Sequence, residues 1–306
     1  MTRIIVAGEN LIDLIVRADG TITPIAGGGP YNTARTIGRL GGDVAYLGRI
    51  SRDRFGRDIR SRLLADGVSP ALIVDTDDPT TLALAELDAS GAASYHFYVD
   101  GTAAAGLAPA DVAGAIATDT QAIHAGTLGL VLEPMAQATV ALVAAAPADV
   151  LVMVDPNVRP SIIRDAARYR GHLDAVLARA DVVKISTEDA GWLAPDLPSR
   201  AYAARLVESG ARVVLLTDGG EGVAVVTPDG ITEVPVPSVD VVDTVGAGDS
   251  FGGGFLVSWL DRGLGRDDLG DRDAVLGCVE RAIRVAAITC TRAGAEPPTR
   301  ADLGEV

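Results

Sequence analysis

SVDVVDTVGAGDSFGGGFLVSWL, residues Ser238 to Leu260, runs from a polar, β-prone approach into an apolar segment through a turn of Gly246, Ala247 and Gly248. Residues this small let several backbone N–H groups converge at a helix start, where the peptide dipoles favour an anion such as phosphate. Asp249 follows in the first turn of that helix. A carboxylate in this place can take the proton of a bound hydroxyl while the amides hold charge on a transferring group. Taken alone, the same residues would also serve as a glycine turn and a helix-capping acid.

Upstream of this stretch, strand-like and helix-like runs alternate. Strands are expected near Ala122–Ala125 and at Val150–Val154, Asp181–Ile185 and Val213–Thr217, with helices over Glu133–Ala146, before Ala180 and over Ser199–Ser209. A further helix is expected over Ala282–Cys290. Near the N-terminus, Ile4–Ala7 reads as a buried parallel strand and Val44–Leu47 as another, with helices over Tyr31–Leu40 and Asp53–Asp66, the latter stopping at Gly67. Two regions break the alternation. Leu11–Val16 with Thr21–Ile25 reads as a hairpin, and Thr80–Leu87 with Ser94–Val99 as strands without intervening helices. The expected fold class is therefore α/β, a doubly wound, mainly parallel sheet flanked by helices, with a small β-sheet lid. Residues 1–10, 27–70 and 100–306 would form the core, and 11–26 and 71–99 the lid.

Composition narrows the function. A chain of 306 residues that is 48% hydrophobic can bury a large α/β core. Abundant glycine, 35 residues against 4% aromatics, favours sites built from backbone. The formal net charge of -15 argues against a nucleic-acid partner, which requires clustered cations to displace counterions. Neither a leader pattern at Met1–Asn10 nor a charge-free apolar run of about 18 residues is seen, so no membrane partner and a cytoplasmic location are expected. Cys278 and Cys290 read as reduced core thiols, and His124 and His172 suggest no metal site. A dinucleotide-dependent oxidoreductase would need GxGxxG after the first strand, and the chain has none there.

DTVGAGD, Asp243 to Asp249, resembles over its whole length a motif of the PfkB or ribokinase family of carbohydrate kinases. GGGPYNTA, Gly27 to Ala34, resembles that family's N-terminal glycine motif. The inserted β segments correspond to the family's lid, so the resemblance covers nearly the whole chain, and it is nearest to fructokinases. It implies a ribokinase-like kinase with Asp249 as base, Gly246, Ala247 and Gly248 as anion hole and Arg159 beside the transferring group. Asp13, Gly28, Gly29, Asn32 and Asn157 would surround the sugar, with Tyr95 or Phe97 over its apolar face. Lys184, Thr217, Gly219 and Gly222, together with Gly246 and Gly248, would line ATP.

Magnesium would accompany the nucleotide. The family usually has Asn where this chain has Ser186, which leaves both Glu188 and Asp189 as candidates for the magnesium water network. Relatives hold potassium near an acid like Asp243 and the RAGAEPP turn, Arg292 to Pro298. Within the family, 2-keto-3-deoxygluconate kinases carry a lid arginine where this chain has Val99. Valine cannot form that bidentate ion pair, so a neutral sugar, fructose first, is expected. A 2-keto-3-deoxygluconate kinase or a ribokinase or nucleoside kinase is the alternative within the family. A non-catalytic sensor on the same fold should have lost the base or the amide turn, and both are intact. Partners are expected to be the sugar, ATP and a second copy of the chain, joined through the lid sheet.

Overall fold

Short runs of Val, Ile and Leu separated by helices with one apolar face build a sheet covered on both sides. The computed structural model describes residues 3–17, 19–87 and 93–305. In chain order the strands and helices are β1 (Arg3–Ala7), β2 (Leu11–Val16), β3 (Ile22–Gly27), α1 (Gly29–Arg39), β4 (Val44–Ser51), α2 (Arg54–Ala65), β5 (Ile73–Thr76), β6 (Leu82–Leu87), β7 (Ala93–Tyr98), α3 (Pro109–Val112) and β8 (Thr120–Gly126). They continue with α4 (Met135–Ala144), β9 (Leu151–Asp155), α5 (Ala166–Leu177), β10 (Val182–Ser186), α6 (Thr187–Leu193), α7 (Ser199–Glu208), β11 (Val213–Thr217), β12 (Val223–Thr227), β13 (Gly230–Val234), α8 (Ala247–Asp261) and α9 (Arg272–Cys290).

The large sheet has nine strands in the order β13-β12-β11-β10-β9-β8-β1-β4-β5. From β11 to β5 every neighbouring pair is parallel, and β12 and β13 turn back antiparallel at one edge. That edge hairpin escaped the strand and helix reading, although the turn Pro228–Asp229–Gly230 signals it. Trp259, Phe255, Tyr31 and Ile37 pack in the core on one face of the sheet, and Tyr169, Leu173 and Leu206 in the core on the other.

The lid is a second sheet, ordered β3-β2-β6-β7. Asp13 lies opposite Ile25 and Ala83, and Ala83 opposite Phe97, so these four side chains share one face. The opposite face leaves Ile22 and Tyr98 exposed, the surface on which the expected homodimer would close. One boundary needs correction. Ile73–Thr76 was expected in the lid, yet β5 pairs in parallel with Gly48–Ser51 of β4 as the edge of the large sheet. The helix α2 between them makes a β-α-β crossover, which returns the chain to the sheet it left. The second lid segment therefore begins at Leu82, and its turn, residues 88–92, lies outside the described residues.

Helix α8 is wedged between α1 and α9, which fixes where its first turn stands. A Cβ on Gly253 would lie 2.9 Å from Thr36 Cβ, and one on Gly254 would lie 3.1 Å from Val285 Cβ. The glycine run after Phe251 is thus the means by which α8 approaches both neighbours. Among the described residues no helix is long and apolar enough to cross a membrane.

Candidate active site

The site gathers at the carboxyl ends of the parallel strands. Strand β1 delivers Glu9 and Asn10, both 1% exposed. The Asn10 amide donates to Tyr46 Oη at 3.0 Å and to the Arg49 carbonyl at 2.9 Å, and Tyr46 donates to the Gly8 carbonyl at 2.8 Å. The strand end is held rigid by these bonds. The Gly29 amide donates to Glu9 Oε1 at 3.1 Å, while Glu9 Oε2 is buried without a partner. Burial pushes the Glu9 carboxyl up to about 8, with Asp249 adding to the effect and the Gly29 amide and Arg159 opposing it.

The glycine motif leaves no room for side chains. Gly28 has φ +109°, and a Cβ on it would lie 2.9 Å from the Glu9 carbonyl. A Cβ on Gly29 would lie 2.8 Å from Thr127 Oγ1, 3.2 Å from Asp249 Oδ1 and 3.4 Å from Asn157 Nδ2. Three of the groups expected around the sugar, Gly29, Asn157 and Asp249, thus converge on one point. Asp13 stands against Gly27, and burial pushes its carboxyl up to about 6, with Arg159 opposing and Asp249 adding.

Gly246 caps α8 in the left-handed region at φ +78°, where a Cβ would meet Ala295 Cβ at 2.5 Å. The Ala247 amide bonds back to the Thr244 carbonyl at 3.2 Å, so of the expected three-residue set Gly246 and Gly248 keep their amides open, and the Asp249 amide is open beside them. Asn32 on α1 donates from Nδ2 to Asp249 Oδ2 at 2.8 Å. Burial pushes Asp249 up to about 6; Asn32, Lys184 and Arg159 hold it down and Asp155 raises it. Asp243 fixes the approach to the turn, accepting from the Val245 amide at 3.0 Å and the Gly294 amide at 2.8 Å.

The remaining candidates divide. Arg159 is folded back, donating to Asn157 Oδ1 at 2.6 Å, and Asn157 itself has φ +37°. Thr217, Gly219 and Gly222 lie together at the end of β11, Gly219 with φ +51° and Gly222 with φ +132°. Lys184 does not join them. Its side chain is 6% exposed, and Nζ stands 2.8 Å from Asp155 Oδ2. Phe97 lies on the lid face shared with Asp13 and lines a cavity of about 670 Å³ that runs to Glu133, Arg164 and Tyr169. Tyr95's side chain lies outside the described residues. Val99 is buried beside Ala105 and Leu107.

A family model described as pfkB family carbohydrate kinase matches residues 1–302. The chain belongs to that family. This PfkB kinase is 35% identical over 286 residues to a fructokinase of Rhizobium leguminosarum bv. trifolii, covering 92% of this chain and 85% of the relative. It is 32% identical over 265 residues to a fructokinase of Klebsiella pneumoniae, covering 86% of each. Its fold superimposes on a fructokinase with bound ATP from Xylella fastidiosa with a TM-score of 0.90 at 29% identity, over 99% of this chain and 97% of the other. A fructokinase double mutant from Vibrio cholerae O395, bound to fructose, ADP and a potassium ion, superimposes with a TM-score of 0.86 at 26% identity, over 99% and 97%. The protein is a carbohydrate kinase with a ribokinase-like fold.

In this PfkB kinase the two acids expected beside the magnesium water network lie in different settings. Glu188 is exposed, whereas Asp189 accepts from the Val158 amide at 2.8 Å and forms a capping box with Ser186. Among the described residues no three His, Cys, Asp or Glu side chains gather to hold a metal. A magnesium ion would instead ride on nucleotide phosphates and keep most of its waters. Sequence reasoning overlooked Glu9 and Thr127. Glu9 is the acid that directly follows the first strand and its Gly8, a position that signals it; Thr127, with φ +52°, leaves no such trace.

Proposed function

We propose that this kinase transfers the γ-phosphoryl group of ATP to a primary hydroxyl of fructose, with Asp249 as the base. The observation that carries the reading is the split use of one carboxylate. Oδ2 of Asp249 is held by Asn32, while Oδ1 faces the bare side of Gly29, where a hydroxyl has room to approach. The hydroxyl gives its proton to Oδ1 as its oxygen bonds to the γ-phosphorus, and the bond from that phosphorus to the bridging oxygen of ADP breaks. The Gly248 and Asp249 amides, at the positive end of α8, hold the charge on the phosphoryl oxygens. Asp13 accepts a second sugar hydroxyl, and closure of the lid keeps water from competing. Magnesium supplies neutralisation of the phosphate charge. Asp243, each of whose oxygens accepts one amide proton, fixes the loop beside which potassium would sit.

Fructose is supported by the fructokinases among the relatives and by Val99, which lacks the charge a sugar acid would seek. The decisive comparison is Asp249→Asn on a panel of fructose, ribose and 2-keto-3-deoxygluconate. Turnover should fall by about 10²–10⁴-fold with nucleotide binding retained. Near-normal turnover would remove Asp249 from the role of base, and a preference for the sugar acid would remove fructose.

A further inference from the structure

Lys184 and Asp155 form a buried ion pair beneath the start of α8, against Gly248. Their side chains are 6% and 4% exposed, and Nζ stands 2.8 Å from Oδ2. The other oxygen, Asp155 Oδ1, is buried without a partner. A Cβ on Gly248 would lie 2.7 Å from Lys184 Nζ. The ammonium therefore occupies the space that a side chain at Gly248 would fill, directly against the turn whose amides face the phosphoryl group. Buried and paired with Asp155, this ammonium is held in one place, unlike the long, mobile cation that reaches out for a nucleotide.

We propose that the Lys184–Asp155 pair positions and polarises the first turn of α8, acting on phosphoryl transfer through Gly248 and Asp249 and without touching ATP. The inference rests on the reading of Asp249 as base. Two further observations agree with it. Burial works against the Lys184 charge, yet Asp155, with Asp249 and Asp189 adding to it, holds the ammonium above its ordinary range. Asp249 in turn senses the pair in opposite senses, Asp155 raising its carboxyl and Lys184 lowering it. The other groups facing this cluster are Asn32 on α1, Arg159 after β9, Glu9 after β1 and Asp13 on β2, all towards Asp249, with His124 on β8 and Asp189 on α6 towards the pair.

The test uses Lys184→Met, Asp155→Asn and the double variant, each followed as kcat and kcat/KM against pH and as KM for ATP. Lys184→Met should lower kcat by about 10–100-fold, leave KM for ATP within about twofold and move the acid limb of the profile to higher pH. Asp155→Asn should move that limb to lower pH. The double variant removes both charges and should bring the limb back towards wild type, and it should fold even if a lone buried charge prevents a single variant from doing so. A rise in KM for ATP of about tenfold at unchanged kcat would make Lys184 a nucleotide ligand and overturn the proposal. Limbs that stay in place in every variant that folds would reduce the pair to a structural contact. Failure of Asp249 as base would show separately, as retained turnover in Asp249→Asn.

Discussion

Gly27, Gly28 and Gly29 are enclosed by their own protein, whereas Gly219 and Gly220 have nothing within 4 Å of where a Cβ would sit. On the first loop a Cβ would meet polar atoms: Asp13 Oδ2 at Gly27, the Glu9 carbonyl, 2.9 Å away, at Gly28, and Thr127 and Asp249 at Gly29. The side that we propose receives the sugar is therefore closely packed, with polar atoms of Thr127, Asp249 and Asn157 around the bare side of Gly29. Around Gly219 and Gly220, which we propose lie against the nucleotide, the backbone stands open. Such a division suits an enzyme that has to place one hydroxyl to within a fraction of an ångström, while phosphates are gripped by amides alone.

The comparison breaks most readily at Gly29. Gly29→Ala would put a methyl group where the sugar hydroxyl must approach Asp249 Oδ1, 3.2 Å away. We expect kcat/KM for sugar to fall about 100-fold, roughly 2.7 kcal/mol of transition-state stabilisation, with KM for ATP unchanged. Steady-state kinetics with each substrate varied separates the two. Wild-type kcat/KM would mean that the acceptor does not approach along this side of the glycine motif.

Much of this half was legible in the sequence because small residues and acids at strand ends have few other uses. Asp249, Asn32, Gly28 and Gly29 were all expected, and the structure brings them together at the start of α8 and the turn before α1. The main sheet was legible too, since alternating apolar runs and helices leave few other arrangements. What escaped depended on pairing across the chain. Strand β5 could not be assigned to the large sheet until β4 was seen beside it, and the pairing of Lys184 with Asp155 was hidden because nothing local announces Asp155, on the neighbouring strand, as its partner. Glu9 carried a local signal in its place after the first strand, but its bond to Gly29, 20 positions along the chain, shows only in the fold.

Glu9 sharpens the comparison through pH. Its carboxyl is pushed up to about 8 by burial, while Asp13 and Asp249 are pushed up to about 6. In the unfolded chain such groups titrate near 4, so between these values the folded state binds more protons and stability falls as pH rises. Melting temperature should accordingly decline from pH 5 to pH 8, with the drop above pH 6 belonging mainly to Glu9. Glu9→Gln retains an oxygen to accept from Gly29 and should flatten that upper part of the curve. Parallel curves for the two proteins in calorimetry would show that Glu9 is not held protonated by its surroundings.

The smallest effect is expected on the open loop, and it is the counterpart of the Gly29 experiment. Gly220 sits in a 3-10 turn, Gly219–Glu221, with open space around it. Gly220→Ala therefore has nothing to strike in the free protein, and stability should stay within about 0.5 kcal/mol of wild type. If the space beside it belongs to the nucleotide, the added methyl group meets ATP only in the complex. KM for ATP should rise about threefold, while the constants for sugar at saturating ATP stay as they were. A destabilisation comparable to that of an enclosed glycine would show that this loop is packed by protein after all, and the contrast between the two halves of the cleft would no longer hold.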